Sequence, residues 1–409
     1  MTPTEKVRRV RAGIAGLKRM RRFVDYRESF ALARKLEALL GDLNLAADDP
    51  RTGVELVAAF YETDEKVLGN CDDSSGSVGD IYRIAAADLF VRYATACEEK
   101  RRLADLLWRL IGKDDYGVRD VLLDRAVAYL PEELLRELIF RAWSEARKEE
   151  DEFRARRRYM FVESLARQLK DPATYEKARR ASWPKLGPAA CYDIAEVYLE
   201  AGDTGTALSW VNRVPKGEAF QADRRDDLLL ALYTKTGEQS ERDTVARRIF
   251  RGSRSGEALD ELIAILGEAR RAEVIHEESR LIAGAEELSI GDAFFLVECG
   301  LLDEAASYLL DRADQLDGEY YAGVLPLCKV MEKDERFLVA SLIYRALLDS
   351  ILARGISKHY THGVRYLRKL DALAPKVEDW KRFAPHDVYA AALRKDHARK
   401  SAFWKRYAS

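Results

Sequence analysis

One phrase, written twice, narrows what this chain can fold into. Asp193-Ile-Ala-Glu-Val-Tyr198-Leu-Glu-Ala-Gly202 is followed five residues later by Ala207 and then by Trp210. Phe294-Phe-Leu296-Val-Glu-Cys-Gly300 is followed at the same spacing by Ala305 and Tyr308. A large apolar residue four before a Gly, then Ala, then an aromatic one turn on, describes two helices crossing closely. Gly ends the first helix, Ala lets the second approach, and the ring fills the groove between them.

Helical periodicity is nearly continuous over the 409 residues, and sustained two-residue alternation is nowhere found. Only ten prolines occur, mostly where helices start or stop. The periodicity predicts, among others, helices near 4–23, 27–42, 78–97, 118–129, 188–201, 204–213, 289–299, 302–315, 334–354, 358–373 and 386–404. Tyr233-Thr-Lys-Thr-Gly237 repeats the apolar-to-Gly spacing between the two clear copies. These features predict an all-α fold, an alpha–alpha superhelix of antiparallel helix pairs with tetratricopeptide-like copies over 188–332. The reading treats 1–409 as one extended array. A basic helix lies at 1–24, and basic, His- and aromatic-rich helices lie at 334–409.

Charge is nearly balanced, at -2, yet unevenly spread. Residues 1–22 carry eight Lys/Arg against Glu5, and residues 394–409 carry six against Asp396, so an acidic body joins two basic ends. No global field therefore dictates a nucleic-acid or membrane partner. The five cysteines are widely spaced without a C-x-x-C pair. That argues against a disulfide framework or zinc ribbon and for reduced thiols in a cytoplasmic protein. No run of apolar residues is long enough for a membrane span, and the N-terminus lacks a signal peptide's apolar core.

Several further phrases resemble one family. They are Phe23-Val-Asp-Tyr-Arg27, Asp72-Asp-Ser-Ser-Gly-Ser-Val-Gly79, Tyr344-Arg-Ala-Leu-Leu-Asp349, Ser357-Lys-His-Tyr360-x-His362, Arg365-Tyr-Leu367 and His397-Ala-Arg-Lys400-Ser-Ala-Phe-Trp404. The chain is similar in these to bacterial, all-helical proteins of unknown function, whose domain also accompanies SWIM-type zinc fingers in longer proteins. The SWIM ligands C-x-C … C-x-H are missing here, so neither zinc nor a nucleic-acid role carries over. The resemblance implies the helical fold and a bacterial cytoplasmic setting, and no activity.

Candidate chemistry concentrates in the C-terminal quarter, which holds His359, His362, His386 and His397. His359 and His362 are spaced to share a helix face, but no regular metal-ligand spacing such as H-E-x-x-H accompanies them, so no metal and no cofactor is expected. Cations beside aromatics suit an anion better, since Arg offers planar forks to phosphate or carboxylate and stacks on rings. The residues chosen for this role are His362, Arg365, His397, Arg399 and Lys400, with Trp404 as a stacking wall. An enzyme using His362, His397 and Asp349 is the third alternative. The 72–80 loop fails both the EF-hand and the P-loop pattern and reads as a turn with Ser77 as N-cap. With no nucleophile motif, the leading expectation is a scaffold that binds a protein or peptide partner in its concave groove. The second is binding of an anionic ligand or nucleic acid at the C-terminal cluster.

Overall fold

The computed structural model describes residues 3–409, with side chains from Glu5 onward. It is all-helical, and among the described residues no strand forms. The nearest thing is a single parallel bridge, where Val24 N–H donates to the Asn70 carbonyl at 2.9 Å and Asp72 N–H to the Val24 carbonyl at 2.8 Å. Backbone packing divides the chain into two units, 1–236 and 237–409. No described helix is long and apolar enough to cross a membrane.

The first unit begins with α1 (Pro3–Leu17), α2 (Tyr26–Ala46), α3 (Pro50–Tyr61) and α4 (Asp64–Leu68). It continues through α5 (Ser77–Asp80), α6 (Ala87–Ala96), α7 (Lys100–Ile111), α8 (Asp120–Asp124) and α9 (Glu132–Ala146). It ends with α10 (Glu152–Gln168), α11 (Pro172–Ser182), α12 (Pro188–Ala201), α13 (Thr204–Val211) and α14 (Ala222–Thr236). The second unit comprises α15 (Gln239–Gly252), α16 (Gly256–Leu266), α17 (Arg271–Gly284), α18 (Ile290–Glu298) and α19 (Leu302–Asp311). After these come α20 (Tyr321–Lys333), α21 (Phe337–Arg354), α22 (Tyr360–Leu373), α23 (His386–Asp396) and α24 (Ser401–Ala408). Within each unit consecutive helices pack on one another, α10 on α9 and α11, α12 on α13, α18 on α19, and α21 on α20 and α22.

The duplicated phrase gives the same backbone twice. Gly202 and Gly300 take φ of 93° and 75°. Asp203 N–H reaches the Tyr198 carbonyl at 2.9 Å while Gly202 N–H reaches Leu199 at 3.1 Å; Leu301 and Gly300 repeat this onto Leu296 and Val297 at 2.9 and 3.0 Å. This is the Schellman cap, in which a left-handed residue turns the chain and satisfies the last carbonyls. Ala207, Ala305, Trp210 and Tyr308 are all buried at the crossings. Rings in such positions are worth about 3–5 kcal/mol against Ala.

Two more copies of this cap were hidden. Asp171 and Lys170 donate to Ala166 and Arg167 at 2.9 and 3.0 Å, and Arg336 and Glu335 donate to Met331 and Glu332 at 2.8 and 3.3 Å. Here the left-handed residues are Lys170, at φ 53°, and Glu335, at φ 60°. Such backbone costs a side-chain-bearing residue about 1–2 kcal/mol, more than the freedom Gly loses on folding. Lys170→Gly and Glu335→Gly are each expected to stabilise the protein by up to about 1 kcal/mol. The check is a higher urea midpoint for each variant; a lower midpoint for both contradicts this account.

Several helix limits differ from the periodic reading; the 302–315 helix, for one, ends at Asp311 and is followed by a 3-10 turn over 313–315. The 4–23 helix stops at Leu17, because Val24 is engaged with the 70–72 loop and Asp25 caps α2 by accepting from Glu28 N–H at 2.9 Å. Even so, α1 is docked, with Val10 and Ile14 buried in the core of this unit. The 78–97 helix runs from 77 to 96, but 81–86 is π-helical. Tyr61 hydroxyl donates to the Tyr82 carbonyl at 2.7 Å, and a carbonyl so occupied accompanies the shifted ladder. The 118–129 helix shrinks to α8 plus a short 3-10 turn at 126–128. Finally, 386–404 is two helices with a turn at 397–400, where Trp404 Nε1 donates to the His397 carbonyl at 2.9 Å.

The 72–80 loop also needs a correction. Gly76, not Ser77, is the N-cap, and the cap's side chain comes from further back. Asp73 carboxylate accepts from Val78 and Gly79 N–H, both at 2.8 Å. The amides of this turn are thus occupied by one of the chain's own carboxylates.

Candidate anion-binding site

Helix α22 owes its place to an amphipathic pattern. Tyr360, Val364, Leu367 and Leu370 are buried, whereas Thr361, His362, Arg365, Arg368 and Lys369 occupy the exposed face. Those spacings of one, three and four put the cations in one row along the helix. Helix α24 packs beside α22 through Phe403, which is fully buried and edge-on to Tyr360 at 5.6 Å. This brings Arg406 to the end of the row.

The result is a cleft of about 740 Å³ lined by Thr361, His362, Val364, Arg365, Arg368, Lys369, Arg406 and Ser409, with no Asp or Glu side chain in its lining. Some of its cations have neighbours. Lys369 meets Glu332 at 2.5 Å, and Tyr344 hydroxyl, at 2.8 Å, donates to the same carboxylate. These contacts hold the Glu332 carboxyl below its ordinary range although burial raises it. Arg368 donates to the carbonyls of Arg406 and Tyr407 at 3.4 and 3.2 Å, and Arg406 to that of Ser357 at 3.1 Å. The guanidinium of Arg365 has a ring, Tyr366 at 5.4 Å, rather than an acid beside it.

A second, more enclosed pocket of about 370 Å³ shares His362 and Arg365 as a wall. Its floor is apolar, made by Leu325, Leu347, Ile351 and Tyr366, and its rim carries Arg354 and His359.

The first unit offers a contrast. The cleft of about 580 Å³ between α3 and α7 is lined by four acids, Glu55, Glu62, Glu99 and Asp105, against three bases, Arg51, Arg102 and Arg109. They satisfy one another, Arg51 with Glu99 at 2.9 Å and Arg102 with Glu55 at 2.7 Å. An incoming charge there has to displace a partner already in place.

Of the six residues chosen from sequence, the structure brings His362 and Arg365 into the cleft. His397, Lys400 and Trp404 gather instead around the turn between α23 and α24. The Lys400 ammonium lies against Gly355, at the negative end of α21. Trp404 is half-buried, covered by Arg394 at 4.9 Å and edge-on to Phe403 at 5.0 Å. Arg399 is exposed and lines neither cavity. Arg368 and Arg406 are among the C-terminal cations that the sequence offers but outside the six chosen, and Tyr321 was not considered. The first shares a helix face with Arg365 and was open to detection; the other two arrive by tertiary packing.

His359 and His362 both line the second pocket, which His386 and His397 do not. His386 Nε2 bonds Asp371 at 2.9 Å, and no three His, Cys, Asp or Glu among the described residues converge as a metal site. Asp349 accepts from Tyr389 hydroxyl at 2.7 Å, and its carboxyl is pushed up by the packing around it, with His397 acting in the opposite sense. His362 faces the clefts, so the pair His362 and His397 does not meet in one pocket. Arg345, only 7% exposed, sits between Trp380 at 4.5 Å and Tyr389 at 4.4 Å and donates to the Ala384 carbonyl. Burial lowers its guanidinium from the ordinary value. The five cysteines are unpaired, and burial pushes the Cys328 thiol up to about 12, so it packs as an apolar group.

No curated protein and no solved structure gives a significant match to this chain. The sequence profile of a family of unknown function, DUF6880, matches residues 1–185 and, in a second overlapping segment, 150–406. With both halves matched, the chain belongs to the DUF6880 family of unknown function.

Proposed function

We propose that this protein is a cytoplasmic interaction scaffold that holds an acidic segment of a protein partner in the cationic cleft of α22 and α24. The observation behind the reading is that wall of Arg, Lys and His without an acid side chain in its lining. On this reading the helix pairs wind as a tetratricopeptide-like superhelix, supported by four recurrences of one cap and by helices packed in chain order. A peptide suits the cleft better than a nucleic acid. The cations number only a few, and the body of the chain is acidic enough to repel a polyanion beyond them.

The test is fluorescence anisotropy of an oligo-glutamate peptide with the full chain at several salt concentrations. Binding is expected to fall with salt, and Arg365→Glu with Arg368→Glu to weaken it about tenfold or more. An oligo-glutamine peptide that binds equally well, or a double variant that binds normally, overturns the reading. A single-stranded oligonucleotide that binds more tightly than the peptide moves the assignment to nucleic acid.

A further inference from the structure

We propose that the enclosed pocket beside the cleft receives one aromatic or long aliphatic side chain of the bound segment, so that the partner motif is an apolar anchor flanked by carboxylates. The inference rests on the acidic-segment reading above and adds the specificity that charge alone does not give.

The first argument is chemical contrast across one wall. The two cavities share His362 and Arg365, yet one is lined by cations and the other is floored by Leu325, Leu347, Ile351 and Tyr366. A ligand with only charged groups leaves that apolar floor wet, and a ligand with only apolar groups leaves the cations unused. Pockets that give orientation and affinity are concave and mostly apolar with a few polar groups at the edge. At about 370 Å³ this one sits at the small end of that class and suits a side chain rather than a whole cofactor.

Spacing is the second argument. In an extended segment adjacent residues rise about 3.3 Å, and alternate side chains share a face. With the anchor against one side of the His362–Arg365 wall, a carboxylate one or two residues away falls on the other side. There Arg365, Arg368 and Arg406 wait. Charge also sets the direction of the segment. Glu319, 3.8 Å from Arg354, puts a carboxylate at the opposite rim, so acids are disfavoured there and favoured toward α22.

The mouth supplies a third observation. Tyr321 lines the pocket while 61% exposed, and its neighbour Tyr320 is 56% exposed. Large rings left open beside a pocket are the groups that contribute most when a partner covers them.

Two fluorescent acidic peptides, identical except for Phe or Ala at the centre, test this with the full chain. The wild type is expected to bind the Phe peptide at least about tenfold more tightly. Leu325→Trp, which fills the pocket from its floor, should reduce the Phe peptide to the level of the Ala peptide and leave the latter unchanged. Tyr321→Ala, at an exposed position that does not threaten folding, should weaken only the Phe peptide, by about threefold or more. Equal binding of the two peptides, with Arg365→Glu still weakening both, overturns the anchor and leaves the charge reading standing. Failure of both peptides to bind overturns the two together.

Discussion

Asp64→Ala is expected to cost about 3–5 kcal/mol of stability, the largest loss foreseen for a single polar group in this protein. Asp64 opens α4, and its carboxylate takes both arms of the Arg119 fork, Nε at 2.7 Å and Nη2 at 2.5 Å. Both side chains are buried, 2% and 5% exposed, and a charge stripped of its partner there has no water to turn to. The third arm of the guanidinium donates to the Leu110 carbonyl at 3.1 Å. Around it, Asp114 accepts from the N–H groups of Val118, Arg119 and Asp120 at 3.1, 2.9 and 3.2 Å, so the segment before α8 is fixed by two carboxylates. Urea unfolding of the single variant measures the loss. Asp64→Leu combined with Arg119→Met should recover much of it, since removing both charges abolishes the unpaired one. A single-variant loss below about 1 kcal/mol, the value of an exposed pair, contradicts the buried-pair account.

Gly318→Ala is expected to damage both the second unit's stability and its pocket. Gly318 borders the pocket and lies so close to α21 that a Cβ built on it falls on the Ala346 carbonyl and 2.9 Å from the Leu347 Cα. Backbone, unlike a flexible side-chain tip, does not swing aside, and overpacking of this kind costs about 1–3 kcal/mol or more. Because Leu347 also lines the pocket, the strain spreads to its floor. The expected result is a lower urea midpoint, together with weaker binding of the Phe peptide than of the Ala peptide relative to wild type. Gly205→Ala, where only the flexible Asp203 carboxylate stands near, serves as the harmless comparison. A Gly318→Ala protein as stable as that control contradicts the close approach.

Legibility followed the chemistry of individual residues. The caps at 202 and 300 were readable because Gly occupies the left-handed position. The equivalent caps at 170 and 335 were not, because Lys and Glu stand there and the cost is met by packing that no local pattern reveals. The buried stripe of α22, and with it the row His362, Arg365, Arg368, follows from helical spacing. The choice of His397, Lys400 and Trp404 came from nearness along the chain. The break at 397–400 has neither Gly nor Pro to announce it, since it is held by an indole-to-carbonyl bond. The apolar pocket was invisible for a different reason. Its Leu325 and Tyr321 belong to α20, and only folding sets them opposite α22.

The Schellman caps bear on where this chain tolerates being cut or lengthened. At 170–171, 202–203, 300–301 and 335–336 two backbone bonds lock each reversal, so added residues there pull apart the helices on either side. The connection over 212–221 is of another kind: Lys216, Gly217 and Ala219 are exposed, and the stretch belongs to no helix. A protease site, a fluorescent reporter or a tether for recovering partners belongs in that connection, where it leaves the paired helices undisturbed.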